Sequence, residues 1–208
     1  VAAARAGKHL FCEKPMALTA AEAENMLAVA QSAGVRHYLN HNYRRCPAVQ
    51  LARRLIDEGR IGRIFHWRGA YQQDWIVDPD FPLTWQLQKE TAGSGPHADL
   101  NSHSVDLAHF LVGDIRTVSC LTANFVRERP LPGHGATAFS SGLGVVTQKG
   151  AVTVEDASLM HVEFACGAIG SFESSRFATG RKNHNTFEIY GSEGSLTFDL
   201  ERMNELQF

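Results

Sequence analysis

The sequence lacks the long apolar runs and the one-sided charge that mark membrane and nucleic-acid proteins. No run of 18 apolar residues occurs, and the first residues do not join a charged segment to a long apolar one. The 20 Lys and Arg and the 22 Asp and Glu give a net charge of −2 with neutral histidines. This balance offers no basic surface for a nucleic acid. We therefore expect neither a membrane nor a nucleic acid as a partner, and a cytoplasmic location.

Cysteine is sparse and dispersed along the chain. The four cysteines are Cys12, Cys46, Cys120 and Cys166, and no Cys-x-x-Cys pair is present. This spacing is typical of reduced thiols in a cytosolic protein, and it argues against a disulfide framework or a zinc site. We expect no bound metal.

The glycine motif of a dinucleotide site is also missing. No Gly-x-Gly-x-x-Gly occurs, and Gly142-Leu143-Gly144 has no strand before it and no helix after it. If the protein binds a nucleotide, we expect the phosphate-binding turn to lie outside these 208 residues.

Apolar residues make up 44% of the 208 residues, which is ample for the core of one or two domains. Residues 8–13 and 35–40 read as strands, and the intervening helix over 20–33 begins with a capping box at Thr19. A strand, a helix and a strand with short connections favour a parallel sheet covered by helices. Residues 1–41 are therefore predicted to be the C-terminal part of a doubly wound α/β domain.

A helix that begins with a proline is predicted over 47–58, and after it the sequence pattern changes to that of successive strands. Residues 63–71 alternate like a half-buried strand, and further candidate strands lie at 117–126, 157–166, 168–177, 185–190 and 195–198. Sequential strands with short turns indicate an antiparallel sheet. Residues 42–208 are predicted to form an α+β domain with an open antiparallel sheet and helices on one face. Residues 127–150 are predicted to be a long surface loop.

One predicted helix, from Pro96 to Leu111, carries polar side chains on a single face. At 100° per residue, Asp99, His103 and Asp106 fall within about 60° of one another. Asp99 and His103 are four residues apart, so the carboxylate can reach the imidazole, or both groups can converge on a third one. The alternative is a plain ion pair on a half-exposed helix, and Asp106 is predicted to be a structural hydrogen-bond partner.

These motifs together resemble the glucose–fructose oxidoreductase/inositol dehydrogenase (Gfo/Idh/MocA) family of NAD(P)-dependent oxidoreductases. The resemblance rests on Glu13-Lys14-Pro15 at a strand end and on Asp99-x-x-x-His103. It extends to Asn42-Tyr43-Arg44, Gly59-x-Ile61-Gly62, Trp85 and Gly191-x-x-Gly194-Ser195. The loop from Asp74 to Trp85 is most similar to the inositol-dehydrogenase-like and levoglucosan-dehydrogenase-like branch.

The resemblance implies a Rossmann-like domain in residues 1–41 and a substrate and oligomerisation domain in 42–208. It implies truncation at both ends, so that the isolated chain is expected to be inactive. It also implies NAD or NADP as cofactor, a sugar, polyol or cyclitol as substrate, and a homo-oligomer, either a dimer or a tetramer. Two departures stand out: Gln86 follows Trp85 where many relatives have arginine, and Pro96-His97 alters the start of the helix.

Oxidation of a secondary alcohol by hydride transfer needs a base, a cation and a nicotinamide. An imidazole titrates near neutrality, so His103 suits the base that takes the hydroxyl proton. Lys14 follows a strand, where open α/β sheets bind their ligands, and its ammonium suits stabilisation of the alkoxide. Asp99 is expected to orient His103 or to hold Lys14.

The remaining site predictions follow the same resemblance. The expected cofactor-binding residues are Glu13, Lys14, Pro15, Asn42, Trp85 and Gln86. The expected substrate-binding residues are Lys14, Tyr43, His97, Asp99 and His103. A purely structural role is the alternative for Asn42, Tyr43 and Trp85.

Two other functions remain open. The first is a non-catalytic sensor or structural relative of the same fold, against which the joint presence of Lys14, Asp99 and His103 argues. The second is a metal-dependent hydrolase built on Asp99 and His103, which would need at least one further ligand.

Overall fold

The computed structural model describes residues 1–132 and 148–208. Its contacts divide the chain into two units, Val1–Asn42 and Tyr43–Phe208. Among the described residues, no helix combines the length and the apolarity needed to cross a membrane.

The first unit is a small parallel α/β element. It contains α1 (Ala2–Arg5), β1 (Leu10–Cys12), α2 (Ala20–Ser32) and β2 (His37–Leu39). Strands β1 and β2 pair in parallel, as the strand, helix and strand pattern predicts. The Thr19 hydroxyl accepts a hydrogen bond from the Glu22 amide, and the Glu22 carboxylate accepts one from the Thr19 amide. The predicted capping box therefore begins α2.

The second unit combines one mixed sheet with several helices. Its helices within the described ranges are α3 (Pro47–Asp57), α4 (Lys89–Ala92), α5 (Pro96–Asp99) and α6 (Asn101–Leu111). Short 3-10 turns occur at Asn42–Arg45, Trp85–Leu87 and Leu200–Arg202. Its strands in the same ranges are β3 (Ile64–Gln72), β4 (Ile115–Ala123), β5 (Glu128–Pro130), β6 (Lys149–Ala151), β7 (Ala157–Phe164), β8 (Ile169–Ser175), β9 (His184–Gly191), β10 (Ser195–Asp199) and β11 (Leu206–Gln207).

The main sheet has the strand order β11-β10-β9-β3-β8-β7-β4 over the described residues. Its neighbouring strands run antiparallel, as predicted, with one exception. Strands β3 and β8 are parallel, with Trp67 opposite Gly170. The sequence could not predict this pairing, because a parallel partner is set by a distant crossover and not by a local turn.

The prediction of a long loop over 127–150 is wrong at both ends of that range. Strands β5 and β6 pair there in an antiparallel two-stranded sheet, with Arg129 opposite Gly150. The middle of the predicted loop, with Gly142-Leu143-Gly144, lies outside the described residues.

One face of the main sheet carries the core. Helices α3 and α6 pack with this face through Val49, Ala52, Leu107 and Leu111, all of which are fully buried. The Trp67 ring stacks on Phe187, with ring centroids 5.2 Å apart. Burial of a side chain such as Val49, Leu107 or Leu111 stabilises the fold by about 1.5 to 3 kcal/mol relative to leaving it exposed.

The opposite face of the main sheet is open. Leu121, Leu159 and Ile169 belong to neighbouring strands on this face, and each is about half exposed or more. The prediction of a sheet with helices on one face is therefore confirmed.

Candidate functional site

The first predicted site segment lies at the edge of the parallel strand pair. Glu13-Lys14-Pro15 follows the carboxyl end of β1, and Asn40 follows that of β2. The Asn40 amide nitrogen donates to Glu13 Oε1 over 2.6 Å, which joins the two strand ends. The Lys14–Pro15 peptide is cis. Open α/β sheets bind ligands at the carboxyl ends of their strands, so the charged and amide groups of this edge fit a nicotinamide dinucleotide.

The predicted single helix over Pro96 to Leu111 is wrong, because it is interrupted at Leu100. Leu100 ends α5 and begins α6, and the amide of His103 donates to the Leu100 carbonyl in a tight three-residue turn. Asp99 is therefore the last residue of one helix, and His103 lies in the first turn of the next.

His103 is almost buried, with 7% of its surface exposed, and lies beside two tyrosine rings. The ring centroid of Tyr43 is 4.6 Å from that of His103, and the centroid of Tyr71 is 5.9 Å away. Two aromatic rings therefore restrict the orientation of this imidazole.

A chain of hydrogen bonds leads away from these tyrosines. The Tyr71 hydroxyl donates to Asn183 Oδ1 over 2.7 Å, and the Tyr43 hydroxyl lies 2.9 Å from the Tyr71 hydroxyl. Since Tyr71 gives its proton to Asn183, Tyr43 is the donor to Tyr71. Burial raises the pKa of Tyr71. Tyr71 is therefore a neutral phenol at physiological pH.

The chain continues through the segment that follows β3. The Gln73 amide donates to Asn183 Oδ1 over 3.1 Å, and the Trp75 indole donates to Gln73 Oε1 over 2.9 Å. The guanidinium carbon of Arg176 lies 5.1 Å from the centroid of the Trp75 ring. The Arg176 guanidinium, the Trp75 ring and the amides of Gln73 and Asn183 are therefore connected by these contacts.

Arg176 connects these side chains to helix α5. It is 1% exposed, and its Nη2 donates to Asp99 Oδ2 over 2.8 Å. Asp99 itself is 41% exposed. The contacts thus run from His103 around to Asp99, and we call this set of residues the polar ring: His103, Tyr43, Tyr71, Asn183, Gln73, Trp75, Arg176 and Asp99.

The parallel pairing of β3 with β8 assembles the polar ring. The carboxyl ends of parallel strands meet at one edge, so Gln73, which follows β3, and Arg176, which follows β8, come together. Helix α6 packs against β3 and β8, and α5 packs against β8 and β7, which brings His103 and Asp99 to that edge.

Sequence reasoning missed Tyr71, Asn183 and Arg176. A weak signal exists for Arg176, because Ser174-Ser175-Arg176 sets small polar residues and a charge where an apolar alternation ends. The partner of that charge depends on the unpredicted strand pairing.

Two residues expected at the cofactor lie next to each other in the second unit. The Trp85 ring is 56% exposed, whereas Gln86 is almost buried, with 9% exposed. The backbone oxygen of Gln86 lies 3.5 Å from Arg176 Nη1. Gln86 therefore borders the polar ring, and the cofactor role of both residues stays a prediction.

His97 and Asp106 lie apart from the polar ring. The His97 Nδ1 is 3.3 Å from the Ser158 hydroxyl, and its amide donates to Glu155. The Asp106 carboxylate accepts two bonds from Arg44, over 2.7 and 2.6 Å. These two bonds agree with the structural role predicted for Asp106, and the roles of Asp106 and His97 both stay predictions.

Within the described ranges, one group of side chains has the donors for a metal ion. His184, Asp199 and Glu201 bring their ligand atoms within 4.8 Å of one another. The Nδ1 of His184 lies 3.8 Å from Asp199 Oδ1 and 3.9 Å from Glu201 Oε2, separations that an ion pair also explains. Asp99 and His103 belong to no such group in the described part of the chain.

Comparison with known proteins bears on both units. Residues 1–41 match the family model described as "Oxidoreductase family, NAD-binding Rossmann fold". Residues 49–197 match the model described as "GFO/IDH/MocA C-terminal domain". The levoglucosan dehydrogenase of Pseudarthrobacter phenanthrenivorans is 46% identical over 207 residues, which cover 100% of this chain and 53% of that relative.

Solved structures show the same fold. An oxidoreductase domain protein from Kribbella flavida matches with a TM-score of 0.90 and 49% identity, over 99% of this chain and 53% of its own. A levoglucosan dehydrogenase in complex with NADH and levoglucosan matches with a TM-score of 0.89 and 45% identity, over 99% and 52%. The chain spans about half the length of the relatives it matches. The predicted fold, the end of a Rossmann domain followed by a sheet domain with helices, is confirmed.

Proposed function

This chain belongs to the Gfo/Idh/MocA family of oxidoreductases, and we propose that its protein transfers a hydride between NAD or NADP and a sugar or cyclitol. The reacting group would be a secondary hydroxyl. The observation that carries the proposal is the polar ring, in which His103 and Asp99 lie among hydrogen-bonding and aromatic side chains. A sugar is recognised by such a combination of polar groups and an aromatic wall.

His103 is the proposed base. Its imidazole takes the proton of the substrate hydroxyl, and the rings of Tyr43 and Tyr71 limit its rotation. Lys14 is the proposed cation that stabilises the developing alkoxide, and Asp99 orients the imidazole or holds Lys14. The nicotinamide, when bound, supplies the acceptor for the hydride.

The proposed cofactor contacts are those at the edge of the parallel pair and the segment bordering the polar ring. They are Glu13, Lys14, Pro15, Asn42, Trp85 and Gln86. The hydrogen bond between Asn40 and Glu13 supports this assignment, because it orders the edge at which a dinucleotide binds in doubly wound sheets. The proposed substrate contacts are Lys14, Tyr43, His97, Asp99 and His103.

The competing proposal is a sensor that binds a sugar without turnover. The two are separated by incubating the purified full-length protein with NAD⁺ or NADP⁺ and with levoglucosan, inositols and simple aldoses. We expect reduced nicotinamide to accumulate with at least one of these substrates. Tight binding of a sugar without any reduced nicotinamide would favour the sensor.

In the full-length protein, Lys14→Ala should lower kcat strongly while changing the affinity for the cofactor much less. The physical reason is that the ammonium stabilises charge mainly in the transition state, where one electrostatic donor contributes about 10²- to 10³-fold. The measurement is steady-state kinetics, with Lys8→Ala as the matched control in the same unit. A Lys14→Ala protein that keeps more than about a tenth of kcat would remove Lys14 from the reaction.

His103→Asn should abolish the acid limb of the pH profile. In the oxidation direction, kcat/KM of the wild type should rise with pH through a histidine-like ionisation, because only the neutral imidazole accepts a proton. We expect a loss of about 10²- to 10⁴-fold near neutrality. An unchanged profile in the variant would assign the base to another residue.

We also propose that the protein is a homo-oligomer that uses the open face of the main sheet. The support is the row of exposed apolar side chains on that face, Leu121, Leu159 and Ile169, which a second copy would cover. Light scattering after gel filtration should give a dimer or tetramer for the wild type and a smaller species for Leu159→Glu. An unchanged mass in the variant would place the interface elsewhere.

A further inference from the structure

The side chain of Arg176 is buried although it carries a charge. Its side chain is 1% exposed, yet its guanidinium reaches the half-exposed carboxylate of Asp99 over 2.8 Å. Removing a charged group from water costs several kcal/mol unless partners compensate for the loss. The contacts of this guanidinium therefore indicate what it does.

Three other groups fix the guanidinium in place. The Trp75 ring lies against it with 5.1 Å from the guanidinium carbon to the ring centroid, and the Gln86 carbonyl lies 3.5 Å from Nη1. Asp156, a carboxylate with no exposed surface, interacts favourably with both Arg176 and Arg129. Arg176 is thus anchored on its inner side by a ring and a buried anion.

The outer side of Arg176 points to the proposed reaction centre. Its Nη2 donates to Asp99 Oδ2, and Asp99 is the last residue of α5, immediately before the break at Leu100. A carboxylate at a helix end has a free choice of rotamers in water, and ordering it costs entropy. A charge-assisted bond from an immobile arginine removes that freedom.

We infer that Arg176 is a positioning residue that holds the Asp99 carboxylate in the orientation the reaction needs. Arg176 acts through Asp99 and is not itself a group that touches the reacting atoms. The inference rests on the proposed function, because it assigns Asp99 a part in hydride transfer.

The competing explanation is purely structural. In that case Arg176 compensates the buried charge of Asp156, and its bond to Asp99 is incidental to turnover. A double-mutant cycle separates the two explanations, because it measures whether the effect of one residue depends on the other.

The cycle consists of the wild type, Arg176→Met, Asp99→Asn and the double variant, with kcat, KM and pH profiles measured on the best sugar substrate. We expect Arg176→Met to lower kcat/KM by about 10- to 100-fold in the wild type and by less than about 3-fold in the Asp99→Asn background. Most of the loss should be in kcat, and the acid limb of the profile should move, because a displaced Asp99 carboxylate changes the environment of the His103 imidazole. Equal losses in both backgrounds would overturn the inference.

Two further variants keep the test decisive. Arg176→Lys retains the charge but loses the planar fork, so it should restore part of the lost kcat. If Arg176→Met does not fold, Arg176→Lys carries the same cycle with a smaller expected loss. Arg116→Met, which removes an exposed arginine of β4, is the matched control and should behave like the wild type.

Failure of the inference is distinguishable from failure of the proposed function. A wild type that oxidises no sugar overturns the proposed function and, with it, the positioning role. An active wild type whose Arg176 and Asp99 effects are independent overturns the positioning role alone.

Discussion

Two buried arginines serve two regions of the second unit in different ways. Arg129, which is fully buried, donates to the backbone carbonyls of Ile76 and Asp78 over 2.6 and 2.7 Å. Arg176, which is equally buried, donates to the side chain of Asp99 over 2.8 Å. Asp156 interacts favourably with both of them.

The difference lies in the partners and not in the arginines. Backbone carbonyls at 76 and 78 belong to a loop that covers a small apolar cluster, so Arg129 fixes the path of the chain. The carboxylate of Asp99 is half-exposed and can meet a ligand, so Arg176 fixes a reactive group. Burial of a charge alone therefore does not distinguish a structural role from a functional one; the chemistry of its partner, a backbone carbonyl or a carboxylate side chain, does.

The largest effect on stability is expected for Arg129→Met. The variant leaves the buried carbonyl of Ile76 and the carbonyl of Asp78 without their donor and removes a cation from beside Asp156, and breaking such an arrangement costs about 3 to 5 kcal/mol. Urea unfolding measures the loss, and kcat per folded molecule should stay within about twofold of the wild type. A large fall in kcat with unchanged stability would reverse the roles assigned to Arg129 and Arg176.

Tyr71→Phe should lower the free energy of unfolding by less than Arg129→Met does. It removes the hydroxyl that donates to Asn183 and accepts from Tyr43, a net loss of about 1 kcal/mol in the free energy of unfolding. Tyr190→Phe, on the open sheet face, is the control and should change stability little. If Tyr71→Phe proved as stable as the wild type, the hydrogen bonds of the Tyr71 hydroxyl would contribute nothing to the stability of the fold.

The smallest effect is expected in the pH dependence of stability. Burial raises the pKa of Asp156, even though the amides of Phe125 and Val126 and both arginines oppose the shift. The folded state therefore holds the proton to higher pH than the unfolded state, and the contribution of this group to stability falls as the pH rises from the ordinary value through the raised one.

Denaturation of the wild type and of Asp156→Asn across mildly acidic to neutral pH tests this sign. The stability of the wild type relative to the variant should decrease with rising pH within that window. A relative stability that increases would mean that the arginines outweigh burial, and that Asp156 binds Arg129 and Arg176 more strongly than its surroundings suggest.

Local signals in the sequence predicted the elements whose causes are local. The capping box of Thr19 begins α2 where it was expected, because its two hydrogen bonds join residues only three positions apart. The parallel pair β1 and β2 follows from one short helical connection. The single helix predicted after Pro96 is divided at Leu100 into α5 and α6, a break that the apolar periodicity does not mark.

Residue types and spacing determined the candidate chemistry of Lys14, Asp99 and His103, because an ammonium, a carboxylate and an imidazole have the same capabilities in any fold. The tertiary structure alone decided that Tyr71, Asn183 and Arg176 surround two of these groups. The cause is the parallel pairing of β3 with β8, which brings together strand ends about a hundred residues apart. Such a contact has no local signature, since its free energy comes from the assembled sheet.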